Sequence, residues 1–165
     1  MSLDWQCRRS GGLTGRATVP GDKSISHRAI MLTALADGES VIEGFLEGED
    51  TRATARIFSQ LGVRIDTPNP HTRIVHGVGL HGLQPSDNPL DCGNAGTGMR
   101  LLAGLLSAQA FDSLLVGDAS LSKRPMARVI RLLEKMGAEI SARDGDFAPL
   151  HIHGGQALRG VEIDT

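Results

Sequence analysis

The chain contains no tyrosine, and aromatic residues make up only 3% of its 165 positions. A platform that stacks on bases needs such rings, so a single-strand nucleic-acid binder is excluded. There is no surplus of positive charge either. Seventeen Lys and Arg face nineteen Asp and Glu, a formal net charge of −2, whereas a general nucleic-acid binder is basic. Cys7 and Cys92 are the only cysteines, and their separation is not that of a metal-ligand pair. Both read as free thiols of a reducing compartment, which places the chain in the cytoplasm. No long apolar run opens the sequence, so neither a signal peptide nor a membrane anchor is expected. His151 and His153 alternate with apolar residues and read as part of one strand, not as a zinc pair, so no metal is expected. The phosphate loop Gly-x-x-x-x-Gly-Lys-Ser is missing, which weighs against an ordinary nucleotidase. No Ser-His-Asp or Cys-His arrangement is legible.

What the chain has in quantity is glycine, with 21 residues, and the most informative glycines open helices. Gly21-Asp22-Lys23-Ser24-Ile25-Ser26-His27-Arg28 follows an extended run from Leu13 to Val19. Ile25, Ala29, Leu32 and Ala36 then fall at helical spacing, and Asp37-Gly38 ends the pattern. Lys23 and Ser24 therefore sit where a helix begins. Backbone N–H groups there lack intrahelical partners and the helix dipole is positive, so an anion is stabilised. Arg28 is four residues from Ser24 and shares its face. The alternative is an ordinary capped helix, with Asp22 or Ser24 as the cap and the cations solvated.

A second such stretch, Gly93-Asn94-Ala95-Gly96-Thr97-Gly98-Met99-Arg100, lies 72 residues later, again running from Gly to Arg over eight positions. The likeness extends down the chain with slowly growing offsets. Ser40 to Gly44 matches Ser113 to Gly117 at 73, Gly62 matches Gly137 at 75, and His76-Gly77 matches His153-Gly154 at 77. The second helix of each half is expected at about Thr51 to Leu61, with Asp50 as its cap, and from Pro125 to Gly137. Val63 to Asp66 with Arg73 to His76, and Ala138 to Ala142 with Leu150 to His153, close each half as strand pairs. This is an α+β chain of repeated βαβαββ units. Unit one covers about 13–83 and unit two about 88–157. Residues 158–165 resemble 13–20 and read as the start of a third unit in a longer protein, so the 165 residues are expected to be a partial N-terminal domain. A third basic cluster, Lys123-Arg124, is expected at a helix start, where cations oppose the dipole unless an anion faces them.

Pro-Gly-Asp-Lys-Ser-Ile-Ser-His-Arg at 20–28, the glycine-rich stretch at 93–100 and Lys-Arg-Pro-Met at 123–126 resemble the 5-enolpyruvylshikimate-3-phosphate synthase family. The resemblance implies three repeated units in each of two globular domains, with the active site between them. It implies transfer of the enolpyruvyl group of phosphoenolpyruvate to the 5-hydroxyl of shikimate 3-phosphate, by addition and elimination, without metal or organic cofactor. Lys23 would lie between the two substrates as the catalytic residue. Ser24 and Arg28 would hold shikimate 3-phosphate, Gly96 and Arg124 would contact phosphoenolpyruvate, and Asn94 and Thr97 would shape that pocket. A glycine at 96 implies room for the inhibitor glyphosate. The family's remaining substrate loop and acid–base carboxylates lie in the second domain, so this polypeptide alone is expected to be inactive and prone to self-association. Two other readings stand beside it. UDP-N-acetylglucosamine enolpyruvyl transferases share the implied fold and chemistry, but typically have Lys-Asn in place of Lys23-Ser24, and a reactive cysteine loop in place of Ser120 to Lys123. A non-catalytic anion-binding half-domain would need only the helix starts.

Overall fold

The computed structural model describes residues 4–9, 11–12 and 14–163. Helix α1 (Lys23–Ala34) begins at Asp22, whose carboxylate accepts the Ile25 N–H at 2.7 Å. Its inward face carries Ser26, His27, Ile30, Met31 and Ala34, the spacing of a single helical stripe. Strand β1 (Asp37–Glu43) follows, then α2 (Glu49–Gln60), β2 (Arg64–Asn69) and β3 (Thr72–Val78). The three strands form an antiparallel sheet in the order β1-β3-β2.

The rest of the chain builds a second sheet. A two-residue strand β4 (Leu90–Asp91) leads into α3 (Gly96–Leu106) and β5 (Ser113–Val116), and a 3-10 turn (Leu121–Lys123) leads into α4 (Ala127–Met136). Strands β6 (Glu139–Arg143) and β7 (Phe147–His153) complete the order β4-β5-β7-β6, with β4 parallel to β5 and the other pairs antiparallel. Without β4 this is the arrangement of the first sheet. One apolar core serves both sheets: Ile30, Ile57 and Phe58 lie in the same buried cluster as Met99, Leu102, Leu115 and Ile152. Cys92 is part of it, and burial, with a smaller push from Asp91, raises its thiol to about 12. Cys7 is exposed and both thiols are free. Among the described residues no helix is long and apolar enough to cross a membrane.

Several boundaries differ from the expectation. Residues 14–20 form no strand and are exposed, and among the described residues β1 carries no partner on the edge where β5 pairs with β4. Only Ala17 and Val19 are apolar in that stretch, too little to bury a face, and Val19 remains 79% exposed. Leu13 lies outside the described residues. Residues 158–163 likewise form no strand, and Asp164 and Thr165 are outside the description. Asp50 is not the cap of α2. The N-cap is Gly48, and Thr51 Oγ1 accepts the Gly48 N–H at 3.2 Å while donating to the Leu46 carbonyl. Nor does α4 begin at Pro125. Arg124 is extended (φ −89°, ψ 128°), as the residue before a proline tends to be, and Met126 is the N-cap. Lys123 and Arg124 therefore precede α4 and do not sit on its dipole.

Candidate active site

The first motif is clamped by its smallest residues. A Cβ on Gly21 would stand 2.0 Å from the Gly44 carbonyl oxygen, so only glycine lets the chain pass the end of β1. Ser26 Oγ donates to the Asp22 carbonyl at 2.8 Å and accepts the Leu46 N–H at 3.0 Å. That joins the start of α1 to the loop that enters α2. The loop is held from its other side by the buried Arg73, which donates to Glu47 and stacks 4.3 Å over the Phe45 ring. Glu47 also meets Arg52 at 3.4 Å, so this carboxylate is already committed.

Helices α1 and α2 then meet in two rungs with the same sequence separation. Lys23 Nζ donates to Asp50 Oδ2 at 2.9 Å, and His27 Nδ1 lies 2.7 Å from Thr54 Oγ1, both pairs 27 residues apart and one helical turn from each other. The outer rung is charged and exposed, with 55% of the Lys23 side chain open to solvent. The inner rung is buried, and burial pushes the His27 pKa below its usual value. Helix α3 closes over that rung through Gly98, where a Cβ would lie 3.3 Å from Thr54 Oγ1 and 3.5 Å from His27 Cε1.

The second motif is organised by polar side chains. Asn94 donates from Nδ2 to Asp118 Oδ2 at 2.7 Å, and its Oδ1 accepts from Arg124 Nη2. Arg124 also reaches Ser120 Oγ at 3.3 Å. Asp118 accepts the Leu121 N–H at 2.7 Å, and the Asn94 amide first, then that backbone N–H, hold its carboxyl below the usual range. Arg100 donates to the carbonyls of Gly96 and Pro125, both at 3.1 Å. Gly96 lies under both guanidinium groups: a Cβ there would be 3.1 Å from Arg100 Nη1 and 3.3 Å from Arg124 Nη1. Thr97 is exposed on the first turn of α3.

Arg52, Arg64, Arg73, Arg131 and Arg143 each have a carboxylate within ion-pair distance. Arg28, Arg100 and Arg124 are instead held by neutral oxygens: Arg28 by the Ser24 carbonyl at 3.1 Å, and the other two as described. Among the described residues none of the three has a carboxylate within ion-pair distance, although Asp118 still feels the charge of Arg124 across Asn94. Neither α1 nor α3 has an acidic residue in its first turn, whereas α2 has Glu49 and Asp50. The start of α3 thus carries no carboxylate, that of α1 carries only its cap Asp22, and that of α2 carries two acidic residues in its first turn.

The expected residues form two groups: Lys23, Ser24 and Arg28 on α1, and Asn94, Gly96, Thr97 and Arg124 around the start of α3. The His27–Thr54–Gly98 contact links them. They lie on an open surface. A cavity of about 590 Å³ between α2 and β2 is lined by Arg52, Arg56 and Arg73 among others, and contains none of them. One of about 410 Å³ touches Asn94 and Asp118 from the α2 side. A larger cavity, about 730 Å³, lies beside the second motif, lined by Arg100, Pro125 and Arg128 among others, and contains none of the expected residues. Sequence reasoning missed Asp50 as the partner of Lys23, Asp118 as the partner of Asn94, and the His27–Thr54 rung. The equal separation of 27 residues in the two rungs was the one signal available, and it has meaning only once α1 is known to pack on α2.

A model of the family described as EPSP synthase (3-phosphoshikimate 1-carboxyvinyltransferase) matches residues 7–165. A 3-phosphoshikimate 1-carboxyvinyltransferase of Xanthomonas campestris pv. campestris is 66% identical over 157 residues, which is 95% of this chain and 36% of the relative. One of Xanthomonas euvesicatoria pv. vesicatoria is 66% identical over 159 residues, with 96% and 36% covered. Among solved structures, an EPSP synthase from Acinetobacter baumannii superposes with a TM-score of 0.86 at 52% identity, covering 89% of this chain and 33% of that one. The chain spans little more than a third of the length of the relatives it matches.

Proposed function

The chain belongs to the EPSP synthase family, and from that premise we propose that it carries the part of an enolpyruvyl transfer site that binds shikimate 3-phosphate and phosphoenolpyruvate through the starts of α1 and α3. The supporting observation is the set of cations ordered by neutral acceptors. Two anionic substrates brought together need positive charge that is fixed in place yet uncompensated. Arg28, Arg100 and Arg124 meet that requirement. Lys23 is tied to a carboxylate, but the pair is exposed, and such pairs are worth at most about 1 kcal/mol. A phosphate or carboxylate arriving at the helix start can displace Asp50 at little cost.

In this reading Ser24 and Arg28 hold the phosphate of shikimate 3-phosphate at the start of α1. Gly96 lets phosphoenolpyruvate approach the first turn of α3, with Arg124 on its charged groups and Asn94 and Thr97 shaping the wall. Asn94 has a second role. Its amide passes the negative charge of Asp118 no closer than one hydrogen bond away, so Arg124 is oriented without being paired. Lys23, on α1, is the residue assigned between the two substrates, where its charge would stabilise negative charge as the 5-hydroxyl adds to C2 of phosphoenolpyruvate while C3 takes up a proton, and as phosphate leaves when that proton is lost again. Turnover is assigned to the protein with the family's second domain, and the 165 residues alone are expected to bind weakly and not to turn over. The division into units at about 13–83 and 88–157, and a cytoplasmic location, belong to the same reading. So does self-association through exposed Ile25 and Leu32 on α1 and Val41 on β1, which light scattering would detect.

Calorimetric titration with shikimate 3-phosphate tests the assignment. Binding that disappears in Lys23→Ala and Arg28→Ala but survives in Arg56→Ala is expected. Equal binding in all three would sink it. Binding of the uridine sugar in place of shikimate 3-phosphate would favour the other enolpyruvyl transfer.

A further inference from the structure

Far from the helix starts, on the solvent face of the second sheet, three side chains converge. Strand β7 buries Ala148, Leu150 and Ile152 and turns His151 and His153 to the other face. Strand β5 pairs with β7 antiparallel, Ser113 opposite Ile152 and Leu114 opposite His151. Carrying that register one residue back sets Asp112 opposite His153. Its Oδ2 lies 3.7 Å from His151 Nε2 and 3.7 Å from His153 Nδ1. The two imidazole rings are 4.3 Å apart, edge to face. One ligand atom from each of the three residues lies within 4.8 Å of the others.

We propose that Asp112, His151 and His153 form a surface site for a late first-row divalent cation, zinc in particular, with solvent completing the coordination. Zinc–nitrogen and zinc–oxygen bonds of about 2.0–2.1 Å at tetrahedral angles separate ligand atoms by roughly 3.4 Å, and the two Asp112–histidine distances are within a few tenths of an ångström of that spacing. Two imidazoles and one carboxylate are a donor set that zinc, copper and nickel favour over magnesium and calcium. The outer contacts are also those of a metal site. Ser141 Oγ lies 3.3 Å from His153 Nε2, where it can accept the Nε2 proton when Nδ1 is bound to a cation. Asp112 Oδ1 accepts the Gly154 N–H at 2.9 Å, which orients the other carboxylate oxygen toward the histidines. Such outer hydrogen bonds fix the tautomer and the ligand angle at metal centres. The histidine spacing offers two ligands, and the third is supplied about forty residues earlier by the β5–β7 register.

The test uses the untagged 165-residue chain, titrated with zinc chloride against a chromophoric zinc chelator near neutral pH. One zinc per chain is expected. His153→Ala and Asp112→Asn should each abolish competition with the chelator, while His76→Ala combined with Cys7→Ser should leave the stoichiometry at one. Ser141→Ala touches no metal and should weaken binding roughly 10-fold or more, the usual effect of removing an outer partner. Cobalt(II) should give the visible bands of a four-coordinate site, lost in His151→Asn, a variant that keeps the strand and removes the ligand. Absence of stoichiometric zinc, or zinc binding unchanged in both the His153→Ala and His151→Asn chains, would overturn the proposal.

Discussion

Acid should destabilise this chain through one buried imidazole, that of His27. The side chain is 0% exposed, its Nε2 has no hydrogen-bond partner, and its Nδ1 meets only Thr54. Burial lowers its pKa from 6.5; Asp50 pulls upward less strongly, and Lys23 and Arg28 add to the lowering. The folded state therefore keeps the ring neutral while the unfolded chain takes up a proton below about 6.5. The sign follows from the proton count. Stability is complete above the unfolded value and is lost as the pH falls from there through the folded pKa. The slope is at most about 1.4 kcal/mol per pH unit for one proton. Against a total of about 5–15 kcal/mol for a domain, a drop of two units is a large fraction.

The assay is urea unfolding followed by circular dichroism across that pH range, in the wild type and in His27→Gln. Glutamine still reaches Thr54 but does not titrate, so the difference between the two profiles removes the other five histidines and the carboxylates. The expected outcome is a steeper loss in the wild type below pH 6.5, absent in the variant. Parallel profiles would refute the argument that His27 is neutral because it is buried. Thr54→Val supplies an independent check: it strands the remaining ring nitrogen and should cost about 1–3 kcal/mol even at neutral pH.

Gly96→Ala should leave the fold intact, costing about 1 kcal/mol, the low end for an added methyl, because two of the atoms it would meet are the ends of long arginine side chains. It should still weaken phosphoenolpyruvate or inorganic phosphate binding roughly 10-fold or more, since displacing a charged donor loses about 1.5–3 kcal/mol; an unchanged affinity in calorimetry would count against the site. Alkylation with a maleimide should label Cys7 rapidly and leave Cys92 unmodified until the chain is unfolded, since burial raises the Cys92 thiol to about 12; mass spectrometry of the intact chain, showing one adduct or two, decides. Gly77→Ala and Gly154→Ala should each cost on the order of 3 kcal/mol, the upper end for overpacking, because a methyl would stand 2.2 Å from the Ala36 carbonyl oxygen in the first case and 2.3 Å from Phe111 backbone in the second; melting temperatures near that of the wild type would refute both.

Most helix ends were legible because local chemistry fixes them. Asp22 caps α1, and Gly137 ends α4 in a left-handed turn at φ 104°. The strand pairs β2–β3 and β6–β7 were legible because their apolar alternation lies on either side of a short turn. What failed depended on partners remote in sequence. Residues 14–20 have strand-like composition, but no neighbouring strand fixes them, and extended backbone without a ladder is only loop. Pro125 looked like a first helical residue because proline is favoured there; its effect on Arg124 moved the helix two residues on. For the site, motif reading found the cations but not what orients them. Asp118 is 24 residues from Asn94, and Thr54 is 27 from His27. The first pairing is made by the parallel pairing of β4 with β5 and the second by the packing of α1 on α2, and no local pattern encodes either.

The His-Gly pairs show how one sequence signal can carry two unlike meanings. His76-Gly77 lies in β3 and His153-Gly154 closes β7, the equivalent strand of the other sheet. Both glycines lack a side chain for the same reason. Gly77 lies against the carbonyls of Thr33 and Ala36 at the end of α1, and Gly154 against the backbone of Phe111 after α3. The central strand of each sheet is thus pressed onto the exit of its helix, and any Cβ would separate them. The histidines answer to no such constraint. His76 meets Asp66 at 2.8 Å and Glu39 at 3.6 Å across the first sheet, whereas His153 faces Asp112 and stands beside His151. A steric requirement forces the glycine identically in both sheets and leaves the histidine beside it free to take up separate partners. Substituting both histidines should therefore leave the melting temperature nearly unchanged, whereas substituting either glycine should lower it.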